Sequence, residues 1–99
     1  MKEELVNLHA GLCTLWVDHA LLEPEIPRNS LVLVAPTRAF KTDGMYVLRR
    51  NKRDAIYRCS GLGAIAVSHN EPKSLVALTN KEFDKVVKGR VIGHLKIEL

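Results

Sequence analysis

The stretch "VDHALLEPEIPRNSLVLVAP", Val17 to Pro36, decides how the rest of the chain is read. Pro24 and Pro27 lack a backbone donor and hold the residues before them extended, so "EPEIPRN" is a connection and not a helix. On its C-terminal side, "SLVLVA" from Ser30 to Ala35 is almost wholly apolar and predicts a core strand covered on both faces. On its N-terminal side, "LCTLWV" from Leu12 to Val17 is equally rich in strand formers. Two core strands joined by a proline-marked bend therefore anchor the chain. The side chains just ahead of the bend, Ala20, Leu21 and Leu22, carry no chemistry.

Downstream, "TDG" at Thr42 to Gly44 marks a turn before a strand over Met45 to Arg50, and Ala55 to Ser60 reads as its hairpin partner. "GLGAIAVS", Gly61 to Ser68, supplies a turn and a further strand, and Ser74 to Leu78 a short one. "TNKE" at Thr79 to Glu82 has the capping-box pattern, with Phe83, Val86 and Val87 as an apolar stripe, and predicts a short helix ending near Gly89. "RVIGHLKIEL" closes the chain as a strand bent at Gly93. Upstream, Met1, Leu5 and Leu8 fall on one side at helical spacing behind the acids Glu3 and Glu4, which predicts a short N-terminal helix stopped at Gly11. The expected fold is mainly β, curled and partly closed, with that helix over residues 1–11 and one helical turn near the C-terminus.

A length of 99 residues allows a single domain over 1–99, and 46% hydrophobic against 26% charged residues excludes a disordered chain. The apolar runs fall far short of the roughly 20 residues that span a bilayer, and Met1-Lys2-Glu3-Glu4 is acidic where a signal peptide is basic. A soluble, cytoplasmic protein without membrane contact is the expectation. Cys13 and Cys59 stand far apart without metal-ligand spacing, and His9, His19, His69 and His94 are scattered singly, so no metal or cofactor is expected. "GLG" at Gly61 to Gly63 lacks the rest of a phosphate loop, and Ser30, Ser60, Ser68 and Ser74 have no base at a telling spacing. Arg49, Arg50, Lys52 and Arg53 concentrate positive charge between two strands. That cluster reads first as a wet hairpin tip, with phosphate contact in a small nucleic-acid-binding protein as the alternative. Neither an interleaved aromatic nor a reading helix accompanies it, so direct DNA binding is not expected.

The order of these pieces resembles the C-terminal domain of the LexA, lambda-type phage repressor and UmuD family of self-cleaving Ser-Lys peptidases. The matching residues are Glu23-Pro24, Ile26-Pro27 and "LVLV" at the bend, and Asp43-Gly44 with "YVLR". Farther on come "IYR" at Ile56 to Arg58, "SHNEP" at Ser68 to Pro72 and "GRVIG" at Gly89 to Gly93. Together they cover about Leu12 to Leu99. In that family a serine attacks an Ala-Gly or Cys-Gly bond of the same chain, and a lysine left unprotonated by burial takes the hydroxyl proton.

Carried onto this chain, the resemblance places Leu21 at the serine, Leu22 at the following methionine and Tyr57 at the lysine. A leucine has no nucleophile and a phenol is a poor base at neutral pH, so the dyad is lost at both ends. The bend, with Leu22, Glu23 and Pro24, is then the frame of an active site refilled by apolar packing that leaves a small hydrophobic cleft. Ala10-Gly11 lies too close to Leu21 to serve as a scissile bond, and a peptidase built on Ser30 or Ser60 with Lys41 or Lys52 has no spacing in its favour.

The family's other property is dimer formation through the C-terminal strands, where Val91, Gly93, Leu95 and Ile97 alternate with Ile92, His94 and Lys96. With about ten residues ahead of the first core strand, no helix-turn-helix domain is expected. The expectation is a non-catalytic interaction domain in transcriptional regulation. It would form a homodimer or bind a related LexA-like or phage repressor as an antirepressor or co-regulator; a dimerisation domain excised from a longer repressor is the alternative.

Overall fold

A computed structural model describes residues 5–9, 11–18, 22, 25–61, 64–68 and 75–97. They form one eight-stranded antiparallel sheet and one helix: β1 (Val6–His9), β2 (Leu12–Val17), β3 (Ser30–Pro36), β4 (Gly44–Arg50), β5 (Arg53–Gly61), β6 (Ile65–Ser68), β7 (Val76–Leu78), α1 (Asn80–Val86) and β8 (Val87–Lys96). The strand order is β1-β2-β3-β8-β4-β5-β6-β7. The mainly β, curled architecture expected from the sequence is what the chain adopts.

The last strand lies in the middle of the sheet. Its first half pairs with β4, Tyr46 opposite Arg90 and Leu48 opposite Val87, while Gly89 to Lys96 pairs along β3. Gly89 sits where three strands meet. A Cβ there would come 2.7 Å from the Ala35 carbonyl oxygen and closer still to Val34 Cγ1, so only glycine fits. A bulge at Ile92, between the pairs Val34–Val91 and Leu33–Gly93, bends β8 where Gly93 predicts a bend.

Hydrophobic side chains gather into two cores on opposite faces of the sheet. Leu15, Val17, Val32, Val34, Val47 and Ile56 form the first, roofed by Leu22 and Ile26 from the bend. Tyr46, Leu48, Cys59, Ile65, Val67 and Phe83 lie in the second, under α1. Successive residues of a strand point to opposite faces, so β4 feeds both: Tyr46 and Leu48 enter one core and Val47 the other. The helix starts as the capping box predicts: Thr79 Oγ1 accepts from the Glu82 N–H at 3.1 Å, and the Thr79 N–H donates to Glu82 Oε1 at 2.9 Å. In the second core Tyr46, Phe83 and Phe40 stack edge-on or tilted at centroid distances of 5.3–5.7 Å. The Tyr46 hydroxyl donates to the Thr42 carbonyl at 2.7 Å.

Three expectations are corrected. The N-terminal helix over residues 1–11 is replaced at Val6–His9 by a strand paired to β2, because backbone pairing across the Gly11 turn (φ 82°) overrides a two-leucine helical spacing. β3 is fully buried on one face only: Ser30, Val32 and Val34 are buried and Leu31 and Leu33 half-buried, whereas β4 buries Tyr46, Val47 and Leu48 in succession and so is covered on both faces. The helix ends at Val86 and not near Gly89, since Val87 is already extended (ψ 134°) and enters β8.

Candidate functional site

The proline-marked bend between β2 and β3 is held by local bonds. The Ile26 N–H donates to the Leu22 carbonyl at 3.0 Å, closing one turn that directs both side chains into the first core. Ser30 Oγ donates to the Pro27 carbonyl at 2.6 Å, and Arg28 Nε reaches the Asp18 carbonyl at the end of β2 at 3.0 Å. Ser30 is fully buried and bonded to its own loop, so it cannot meet a substrate.

Leu22 is buried in the first core, whereas Leu21, Glu23 and Pro24 lie outside the described residues. Tyr57, the position the resemblance gives to the lysine, packs against the second core with the Arg50 guanidinium 5.7 Å over its ring. Alternation along β5 puts its neighbours Ile56 and Arg58 on the face that Leu22 covers. The structure therefore does not bring Tyr57 to the bend. It brings Arg58 there: its Nε donates to Glu25 Oε2 at 2.6 Å, and that charge-assisted bond holds the Glu25 carboxyl below its ordinary range.

The Arg58–Glu25 pair lies at a groove of about 390 Å³ between the bend and strands β4, β5 and β6. Its walls are mostly apolar, with Met45, Ala66 and Leu75, and two hydroxyls, Ser60 and Ser68, share them. No lysine or histidine is among the described residues that line it. Among the described residues no three metal-ligating side chains come together. Cys13 and Cys59 are both free, and burial pushes the Cys59 thiol up to about 12.

A second surface is built by register. Trp16 lies opposite Leu31 and Leu31 opposite Leu95, a rung of large apolar side chains across β2, β3 and β8 on the face away from the first core. Trp16 and Leu31 are half-buried, whereas Leu95 is 59% exposed, with Ile92 (57%) and Ile97 (37%) nearby. Of the alternating set predicted for an interface, Val91 packs against the first core and Gly93 faces Leu33, leaving Leu95 and Ile97 outward; the bulge adds Ile92. Among the described residues no strand pairs with the β4 side of β8 beyond Arg90.

Sequence reading missed Glu25, Arg58 and the Trp16–Leu31–Leu95 rung. Alternation outward from Ile56 carries the signal for Arg58 and Ser60. The rung has no local signal, because strand register places it. Among the described residues no helix is long and apolar enough to cross a membrane. Compared with models of protein families, with curated proteins and with solved structures, the chain matches none.

Proposed function

We propose that this chain is a non-catalytic protein–protein interaction domain that works by self-association through the outer half of β8. The observation that carries the reading is the Trp16–Leu31–Leu95 rung, which runs out to an exposed strand edge flanked by Ile92 and Ile97. An unpaired apolar edge is a template for another strand, and a two-fold axis through β8 would satisfy both copies with one surface. Tryptophan is a usual anchor of an interface, and the exposed aliphatic side chains of β8 add apolar area beside it. The burial of Ser30, bonded to its own loop, and the placement of Tyr57 against the second core support a role without peptide cleavage. The resemblance to repressor C-terminal domains extends the reading to regulation of transcription. There the same edge would pair with the corresponding domain of a LexA-like or phage repressor, as an antirepressor or co-regulator does.

Sedimentation tests it. The parent is expected to be dimeric at tens of micromolar, Leu95→Asp monomeric, and Lys52→Glu at the far hairpin still dimeric. A charge on Leu95 would be buried unpaired in the interface, at a cost of several kcal/mol. Trp16 is the single tryptophan, so its emission reports the same transition on dilution. A monomeric parent, or a dimeric Leu95→Asp, overturns the reading.

A further inference from the structure

Among the described residues the hairpin joining β4 to β5 has no third strand at its tip: β4 pairs with β8 no farther than Leu48, and β5 pairs with β6 only from Arg58 onward. The rungs Arg49–Asp54 and Arg50–Arg53 are therefore a two-stranded ribbon, closed by Asn51 and Lys52. Both tip residues have positive φ, 53° and 63°, the pattern of a type I′ turn. Asparagine tolerates it, but the second position is one where glycine is normally found and a lysine is strained.

Charge adds a second cost. Arg50 and Arg53 face each other directly across the ribbon, an arrangement of like charges that destabilises a strand pair. The only acid of the ribbon, Asp54, is on the other face, 3.9 Å from Arg49 Nε. The six residues Arg49 to Asp54 carry net +3 of the chain's formal +4. The Arg50 guanidinium lies 5.7 Å over the Tyr57 ring, which holds one cation on that side of the ribbon. A strained lysine and an opposed arginine pair together oppose folding, and a dense line of negative charge would relieve the repulsion on contact.

We propose that this ribbon is a DNA-binding element that enters the groove of a duplex and contacts phosphates through Arg50, Lys52 and Arg53. Its shape favours the duplex: a two-stranded β-ribbon fits the major groove, about 12 Å wide and 8.5 Å deep. Two rungs reach about 7 Å, close to that depth. This site is separate from the β8 edge, and its contacts do not depend on self-association.

The test is fluorescence anisotropy of the full chain with a labelled mixed-sequence duplex over a salt series. Three phosphate contacts predict an affinity loss of about forty-fold between 50 and 200 mM salt. The deciding variant is Lys52→Gly, which removes one charge while relieving the strained φ. It is expected to melt at or above the parent's temperature and yet to show a salt response of only about twelve-fold, as for two contacts. Arg53→Ala is expected to do the same to the salt response. No binding by the parent at 50 mM salt, or an unchanged salt slope in Lys52→Gly and Arg53→Ala, overturns the proposal. Equal affinity for a single strand or for heparin overturns entry into a duplex groove.

Discussion

Arg58 Nε lies 2.6 Å from Glu25 Oε2, so a strand in the middle of the chain is bonded to a bend 33 residues earlier. The pair sits at the mouth of the apolar groove, with both side chains partly exposed, 32% for Arg58 and 47% for Glu25. It closes the bend over β5 without burying a charge. Its energy is accordingly small, but its position is specific.

Glu25→Gln is expected to lower stability by about 0.2–1 kcal/mol at neutral pH, the range of a partly exposed pair. The folded-state pKa of Glu25 is lowered from its ordinary 4.5, so its contribution is present above that value and is lost as pH falls through the folded value. Urea denaturation of parent and variant should therefore differ at pH 7 and converge in acid. A gap that persists at pH 2 would assign the effect to packing.

Gly89→Ala is expected to destabilise by about 1–3 kcal/mol or to prevent folding, because the added methyl meets the Ala35 carbonyl and Val34 where β8 passes between β3 and β4. Gly11→Ala is expected to be milder. There, among the described residues, the added methyl meets only Pro36, at 3.8 Å, and the cost is that of the positive φ. Thermal melts of the two variants rank them.

Cys59 titrates at about 12 in the folded chain against an ordinary 9.0, because burial disfavours its thiolate. Above pH 9 the unfolded state releases this proton first, so stability falls as pH rises from 9 towards 12. Other groups titrate in that range, so the measurement is the difference between the parent and Cys59→Ala, which should narrow over that window. Native alkylation at pH 8 should label Cys13 ahead of Cys59, and denaturant should equalise them.

Prolonged incubation at pH 9, which activates a Ser-Lys dyad by deprotonating its lysine, is expected to leave the chain intact by mass spectrometry. Tyr57, at the position of the lysine, faces the second core and not the bend. For the same reason Tyr57→Lys should create no activity even when combined with Leu21→Ser. A specific internal cut in the parent would overturn the non-catalytic reading.

Much of the chain was legible residue by residue, and the legible parts share a cause. The bounds of β2, the β4–β5 hairpin and the Thr79 cap rest on neighbours a few positions apart: apolar runs, turn residues and a hydroxyl three residues from a glutamate. Such signals are local, so one sequence contains them. The identity of β1 was not legible, because four residues cannot separate a period of 2 from one of 3.6 until a partner strand is present.

What only the tertiary structure decided was which element lies beside which, and on which face. The insertion of β8 between β3 and β4 joins residues 39 or more positions apart, and no local pattern encodes it. The same holds for the rung from Trp16 to Leu95 and for the exchange of Tyr57 for Arg58 at the bend. In a strand a shift of one residue moves every side chain to the other face, so a motif aligned by sequence names the strand but not the side chain that reaches the site. Composition and turn chemistry determined a curled β domain with a basic hairpin; register determined which cations face each other across the hairpin tip and that the last strand offers an apolar edge.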